Sequence, residues 1–291
     1  MKNTFLGFYK IRELSELIDS NAVLLFGVPF ERLKATLGGS KKAPKTIRKQ
    51  SLEFSGVSLT FDVTKSKRNF FDLGDIHPIN EREKLKAIWE KAEELNSEIL
   101  VLGGDHSITY DTLSVAPWDE KTGLIWLDAH ADLADEYPPG IFQSHGTVFT
   151  NLKNQRNLRA DQLLLIGGHS YTQMSAEHEK IRNKEVNFIP IRKIHEEKSN
   201  SMELISNFLD NFDRIYMSID LDVIDQAFVP TLATAEPFGL TPAVLQEILR
   251  VILPKTKYVD IVEARHYRNN RIVPNLVVGL IFYILEIWDL N

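Results

Sequence analysis

Short apolar runs rich in Val, Ile, Leu and Phe recur along the chain at intervals typical of an α/β protein. They occupy 22–28, 69–76, 98–103, 123–128, 162–167, 186–191, 214–221 and 258–263. Most are apolar at successive rather than alternate positions, the pattern of parallel strands covered on both faces. Helical periodicity fills several of the intervals. Asn80 can cap a helix with an acidic first turn and an apolar stripe of Leu85, Ile88, Trp89, Ala92 and Leu95. Thr241-Pro242 is a cap followed by proline at the first helical position, opening a helix that runs to Leu253. The repeated strand–helix order predicts an α/β fold with a mostly parallel sheet of eight strands. Periodicity alone leaves a doubly wound sheet and a closed barrel both open.

Composition narrows the picture. With 43% hydrophobic and 25% charged residues, the 291-residue chain is ordinary globular material. No Pro/Gly/Ser-rich linker, repeat or low-complexity stretch divides it, so one domain over 1–291 is expected. The absence of cysteine removes disulfides, thiolate zinc sites, iron–sulfur clusters and a Cys nucleophile together, leaving His and carboxylate to hold any metal. The start, Met1-Lys2-Asn3-Thr4-Phe5, lacks the apolar core of a signal peptide. The longest apolar run, 276–287, falls short of the ~20 residues that span a bilayer. A cytoplasmic protein with no membrane partner is expected. The net charge of −6 is spread along the chain without a basic patch, which argues against nucleic acid.

Three segments carry chemistry. Asp128-Ala129-His130-Ala131-Asp132 follows the apolar run Leu124-Ile125-Trp126-Leu127. In an extended chain, residues i, i+2 and i+4 share a face, so Asp128, His130 and Asp132 are expected to project together from a strand end. Asp220 and Asp222 repeat the logic after a second apolar run, with Asp225 out of phase and read as loop-shaping. Gly103-Gly104-Asp105-His106-Ser107 follows a third run, its glycines allowing a sharp turn before a helix. A lone histidine in such a turn is more often a structural hydrogen-bonder, but His106 stands beside five further candidate ligands. Four carboxylates and two imidazoles make a hard donor set that suits Mn²⁺ better than structural Zn²⁺. Two ions about 3.5–4 Å apart need bridging carboxylates, for which Asp128 and Asp220 are the candidates, and such a pair makes hydroxide available near neutrality.

These motifs, with Gly27-Val28-Pro29-Phe30, Asp72-Leu73-Gly74-Asp75 and Asp260-Ile261-Val262-Glu263, resemble in order those of the arginase/agmatinase ureohydrolases, agmatinases most of all. The resemblance implies a three-layer αβα sandwich, two Mn²⁺ per subunit and a homo-oligomer, trimer or hexamer. It implies that the metal ligands are His106, Asp128, His130, Asp132, Asp220 and Asp222, with His106 and Asp132 terminal on opposite ions. His145, in Ser144-His145-Gly146, then matches a proton-shuttling or substrate-orienting histidine, and Glu263 a carboxylate pairing with the substrate guanidinium. The implied reaction is attack of a metal-bridging hydroxide on the guanidinium carbon, with Asp132 carrying its proton to the departing amine. Urea and a primary amine result.

The loop 133–144 carries Asp135 and Glu136, and no Lys or Arg occurs from Asp132 to His145. That composition disfavours a carboxylated substrate and favours agmatine, giving urea and putrescine, over arginine or formiminoglutamate. The sequence departs from the family at Gln226, where proline is usual, at 230–235, where glycines are usual, and at Gly167-Gly168-His169-Ser170, where arginine is more common. These departures bear on the pocket and leave the six ligand positions intact. Rival readings are another guanidino or formimino hydrolase, a single-zinc deacylase of related fold, and a silent relative that binds without turnover.

Overall fold

A computed structural model describes residues 4–33, 38–266 and 270–291. Met1, Lys2 and Asn3, at the start where a leader's apolar core was not expected, lie outside the described residues. The strands are β1 (Tyr9–Lys10), β2 (Val23–Gly27), β3 (Phe70–Asp75), β4 (Glu98–Leu102), β5 (Thr122–Asp128), β6 (Leu163–Gly167), β7 (Asn187–Pro190), β8 (Arg214–Asp220) and β9 (Thr256–Val262). The helices are α1 (Ala43–Ser51), α2 (Arg82–Glu94), α3 (Ser107–Leu113), α4 (Val148–Arg156), α5 (Ser175–Arg182), α6 (Ile191–Glu196), α7 (Lys198–Leu209), α8 (Pro242–Ile252) and α9 (Ile272–Leu290). All strands pair in parallel, in the order β1-β3-β2-β4-β9-β8-β5-β6-β7. Because β1 and β7 are edges, the sheet is open and the barrel is excluded. Each of the eight expected strands is present. The ninth, β1, has two exposed residues on the sheet's edge, too short and too polar to leave an apolar signature.

The unbroken apolar runs are explained by burial on both sides. Val23 and Leu25 of β2 face one core with α1, α7, α8 and α9, whereas Leu24 and Phe26 face another with α2, α3 and α4. Helices on both faces make three layers. Trp126 of β5 is fully buried and stacks on Phe149 of α4, with ring centroids 3.8 Å apart. That contact fixes the strand from which Asp128 emerges, and its loss by Trp126→Ala carries a cost of about 3–5 kcal/mol.

Two helix starts differ in outcome. Thr241 caps α8, its side chain accepting the Val244 N–H at 3.3 Å. Asn80 does not cap α2: Glu81 holds the capping position, and its carboxylate takes the His77 N–H at 2.7 Å, closing the turn one residue later than expected. The C-terminal apolar run extends into α9, which by length and composition alone reaches bilayer-spanning dimensions. Here it packs on α1, and Val277, Ile281, Ile284 and Leu285 are core residues.

The carboxyl ends of β4, β9, β8, β5 and β6 lie side by side in the middle of the sheet. Any residues placed just beyond those ends meet above the sheet, where open parallel sheets hold ligands.

Candidate metal centre

His106 follows β4 through a turn that requires glycine by proximity. Neither Gly103 nor Gly104 takes a positive φ, so conformational freedom is not what selects them. A Cβ on Gly104 would lie 1.8 Å from the Phe30 carbonyl oxygen, and one on Gly103 would lie 2.6 Å from Val262. The turn is stitched to its neighbour by Gly103 N–H to Ile261 O at 2.8 Å and Glu263 N–H to Gly104 O at 2.9 Å.

The two acidic segments converge by a different geometry from simple strand alternation. β5 ends at Asp128, and the chain bends through 129–130 before reaching Asp132 at φ +51°. β8 ends at Asp220, and Asp222 lies in a 3-10 turn whose N–H donates to Asp220 Oδ1 at 2.9 Å. Turns, rather than a two-residue period, bring the second carboxylate of each motif inward. Asp225 is loop-shaping, accepting the Ala227 and Phe238 N–H groups.

His106 Nδ1 lies 3.1, 3.0 and 3.2 Å from Oδ2 of Asp128, Asp132 and Asp220. None of these contacts has hydrogen-bond geometry, and Nδ1 and Asp128 Oδ2 are buried without a partner. A second group forms on the other side of Asp128, with His130 Nδ1 2.9 Å from Asp222 Oδ2 and 3.6 Å from Asp128 Oδ1. Each group, His106–Asp128–Asp132 and Asp128–His130–Asp222, could hold an ion, and Asp128 belongs to both; His106 and Asp132 therefore share one position rather than serving opposite ions as expected. Donor atoms at right angles on an ion with bonds of about 2.1 Å stand about 3.0 Å apart, so the spacing fits divalent cations.

The electrostatics agree with the spacing. Burial, then the Asp222 and Asp128 charges, push Asp220 well above the usual carboxylate range. Burial and the Asp128 charge push Asp132 up to about 7. Burial works against a charged His106, but three carboxylates outweigh it and raise its pKa well above normal. Protons are being recruited to a space that lacks positive charge, which is the condition a cation relieves.

His106 is oriented from behind. Its Nε2 lies 2.9 Å from Ser218 Oγ, which hydrogen-bonds Asp260, and Thr109 and Tyr258 donate to the same carboxylate at 2.8 and 2.6 Å. Asp260 is wholly buried among hydroxyls. A lone Asp inside an apolar strand was a signal for this role that the sequence reading did not use.

A cavity of about 110 Å³ opens over the carboxylates and is lined by His106, His130, Asp132, His145, Asp220, Asp222 and Glu263. Seven of the eight residues singled out from sequence thus line it; Asp128 lies beneath, fully buried. Glu263 sits at φ +60°, one of two non-glycine residues of the site in the left-handed region, with Asp132 the other. Such backbone costs roughly 1–2 kcal/mol per residue and here aims the two carboxylates inward. Glu263 Oε1 accepts the His106 N–H at 2.8 Å and Oε2 accepts Ser40 Oγ–H at 3.2 Å. Burial and the charge of Asp105 push Glu263 up to about 8. His145 is pushed down to about 4 by burial and by His106 and His130. Its ring meets Tyr137 edge-on, with centroids 5.4 Å apart.

Tyr137, Gly146 and Thr234 of the lining fall in segments already marked in the sequence, 133–144, 144–146 and 230–235, whereas Thr172, Met174 and Glu177 carried no such mark. Glu177 accepts the Leu133 and Met174 N–H groups and so ties together two loops, a role with no local signature. Asp135 and Glu136 do not line the cavity. Asp135 pairs with Lys180 at 2.5 Å, and Glu136 accepts the Gly140 N–H at 2.9 Å. The described residues that line the cavity include no Lys or Arg.

The model of the arginase family matches residues 21–285. The chain is 27% identical over 271 residues to the formimidoylglutamase of Bacillus subtilis, covering 87% of this chain and 84% of that one. It is 26% identical over 281 residues to the agmatinase of Pyrococcus horikoshii, covering 93% of each. The crystal structure of the Bacillus subtilis formimidoylglutamase superposes with a TM-score of 0.86 at 23% identity, covering 99% of this chain and 92% of that one.

Proposed function

We propose a function from one premise: this chain belongs to the arginase family. It is a hydrolase of that family, of the ureohydrolase class. Within that class, our reading is a two-manganese enzyme that cleaves agmatine to urea and putrescine. The observation that carries it is the pair of cation-ready clusters sharing Asp128 and facing Glu263 across one cavity.

His106, Asp128, Asp132 and Asp220 would hold one ion and His130, Asp222 and the shared Asp128 the other, with Asp220 the second bridging candidate. When bound, the pair lowers the pKa of water so that hydroxide is available near neutrality. The chain's own residues do the remainder. Glu263, ionised by the arriving cation, accepts two parallel N–H bonds from the guanidinium and fixes the plane of its carbon. Both of its oxygens are already oriented, one by His106 N–H and one by Ser40. Asp132, at the cavity lining beside the first cation group, would carry the proton of the attacking water to the departing amine. His145 is neutral at that pH and accepts a hydrogen bond from a substrate N–H.

The choice of agmatine rests on the cavity lining. A carboxylated tail calls for a cation beside it, and none lines the cavity among the described residues. The acids of the 133–144 loop do not add to this, since both are engaged elsewhere. A second reading is supported by the formimidoylglutamase relative, whose substrate would release formamide instead of urea. A single domain and a cytoplasmic location, expected from the composition of the sequence, and assembly into trimers or hexamers, implied by the family resemblance, belong to this proposal.

The test is a panel of agmatine, arginine, other guanidino compounds and formimidoylglutamate, assayed for urea and formamide with and without Mn²⁺. Mn²⁺-dependent urea release greatest with agmatine is expected. A tenfold preference for arginine or formimidoylglutamate, about 1.4 kcal/mol, would overturn the substrate assignment.

A further inference from the structure

His130 is held from behind by a row of groups that ends in a carboxylate outside the cavity lining. Its Nε2 lies 3.2 Å from Thr172 Oγ1 and 3.5 Å from Glu236 Oε1. Ser170 Oγ donates to Glu236 Oε1 at 2.9 Å and stands 2.7 Å from Thr172 Oγ1. The row is anchored at both ends. The Ser170 N–H donates to Ala129 O at 3.0 Å, tying it to the turn that carries His130, and the Glu236 carbonyl takes the Gln226 N–H at 2.9 Å.

Proton bookkeeping gives the row a direction. An ionised carboxylate only accepts, so the Ser170 hydroxyl donates its hydrogen bond to Glu236. Ser170 Oγ then accepts from the Thr172 hydroxyl, as it already does from the Thr172 N–H at 3.0 Å. Thr172 Oγ1, its own proton committed, accepts from His130 Nε2–H. The imidazole lone pair is left on Nδ1, the atom 2.9 Å from Asp222 Oδ2 and directed at the second cation position. A carboxylate behind a metal-binding histidine fixes its tautomer and ring orientation in the same way. Here it acts through two hydroxyls.

We propose that Glu236 is a positioning residue which, through Ser170 and Thr172, holds His130 with its proton on Nε2 so that the His130–Asp128–Asp222 position can bind a divalent cation. The assignment rests on the two-cation reading above. It gives a purpose to Ser170, in the Gly167-Gly168-His169-Ser170 stretch where the sequence departs from the family pattern.

The test is a titration of the chelator-treated full chain with Mn²⁺, following heat and free-Mn²⁺ paramagnetic resonance, in the wild type and three variants. The wild type should bind two ions. Glu236→Gln is nearly isosteric, but its amide can present an N–H to Ser170 and no longer dictates direction. It should bind one ion as the wild type does and the second about 10–100-fold more weakly. Thr172→Val should behave likewise, and Thr172→Ser, which keeps the hydroxyl, should restore the second ion to roughly wild-type affinity. The His106 position is the internal control for folding. Two unchanged affinities in Glu236→Gln overturn the proposal, as does equal loss of both. An unaffected Thr172→Val overturns the hydroxyl row. A wild type that binds fewer than two ions removes the two-cation reading itself, and this assignment with it.

Discussion

The carboxylate of Glu263 accepts the backbone N–H of His106 at 2.8 Å, across the adjacent ends of β9 and β4. The group that faces a substrate guanidinium is thereby fixed to the backbone of the residue that faces the cations. A shift of one moves the other. This coupling is a property of the sheet, because the turn after β4 is hydrogen-bonded to the end of β9 on both sides of Gly104.

Glu263→Gln keeps the shape of the side chain and removes its charge. Two charge-assisted hydrogen bonds at roughly 1.5 kcal/mol each correspond to ~3 kcal/mol, so kcat/KM for agmatine should fall by about 100-fold. Mn²⁺ stoichiometry should stay at the wild-type value, because Glu263 belongs to neither cation cluster. Steady-state kinetics alongside metal analysis checks both halves.

His145 is held down to about 4, so its imidazole is neutral across the working range. The pH profile of kcat/KM should carry no step from His145 near 6.5, and His145→Asn should lower the profile without changing its shape between pH 6 and 8. A wild-type step near 6.5 that the variant lacks would contradict this placement. The sign for stability follows. The unfolded chain binds the proton at higher pH than the folded one, so this residue's contribution is present above about 6.5 and is lost as pH falls through about 4.

Removal of divalent ions should lower thermal stability. At a free Mn²⁺ concentration about 100 times its Kd, one bound ion adds about 2.7 kcal/mol, and each kcal/mol corresponds to roughly 2–4 °C for a chain approaching this size. Melting curves with chelator and with Mn²⁺ should therefore differ by several degrees. Coincident curves would be at odds with a cluster of carboxylates that needs neutralising.

Two glycines separate close approach from conformational freedom. Gly104→Ala drives a Cβ to within 1.8 Å of the Phe30 carbonyl oxygen and should displace His106, costing both stability and Mn²⁺ affinity. Gly74→Ala meets nothing within 4 Å and carries only the penalty of its φ of +79°, roughly 1–2 kcal/mol. Denaturant titration with Mn²⁺ binding should show metal affinity lost in the first variant and retained in the second.

The sheet was legible because a parallel strand buried on both faces must be apolar throughout, as Leu24, Leu25 and Phe26 are. The two-residue β1 was not, since an edge strand with exposed Tyr9 and Lys10 has no such constraint. The acidic motifs stood out because Asp128 and Asp220 terminate apolar runs where a polar residue is costly without a purpose. How Asp132 and Asp222 reach the same space was misread, because a left-handed turn and a 3-10 turn leave no periodic trace. The supports, Glu177, Glu236 and Ser40, were invisible for a further reason. Each has a partner, a backbone group or a side chain, tens to hundreds of positions away, and only the fold brings these together.

The most direct test is a crystal of the chain grown with Mn²⁺, with anomalous differences recorded at the manganese edge. Two peaks, one beside His106 and Asp132, one beside His130 and Asp222, with Asp128 between them, are the result this account requires. A single peak, or six side chains turned away from an empty space, would contradict it.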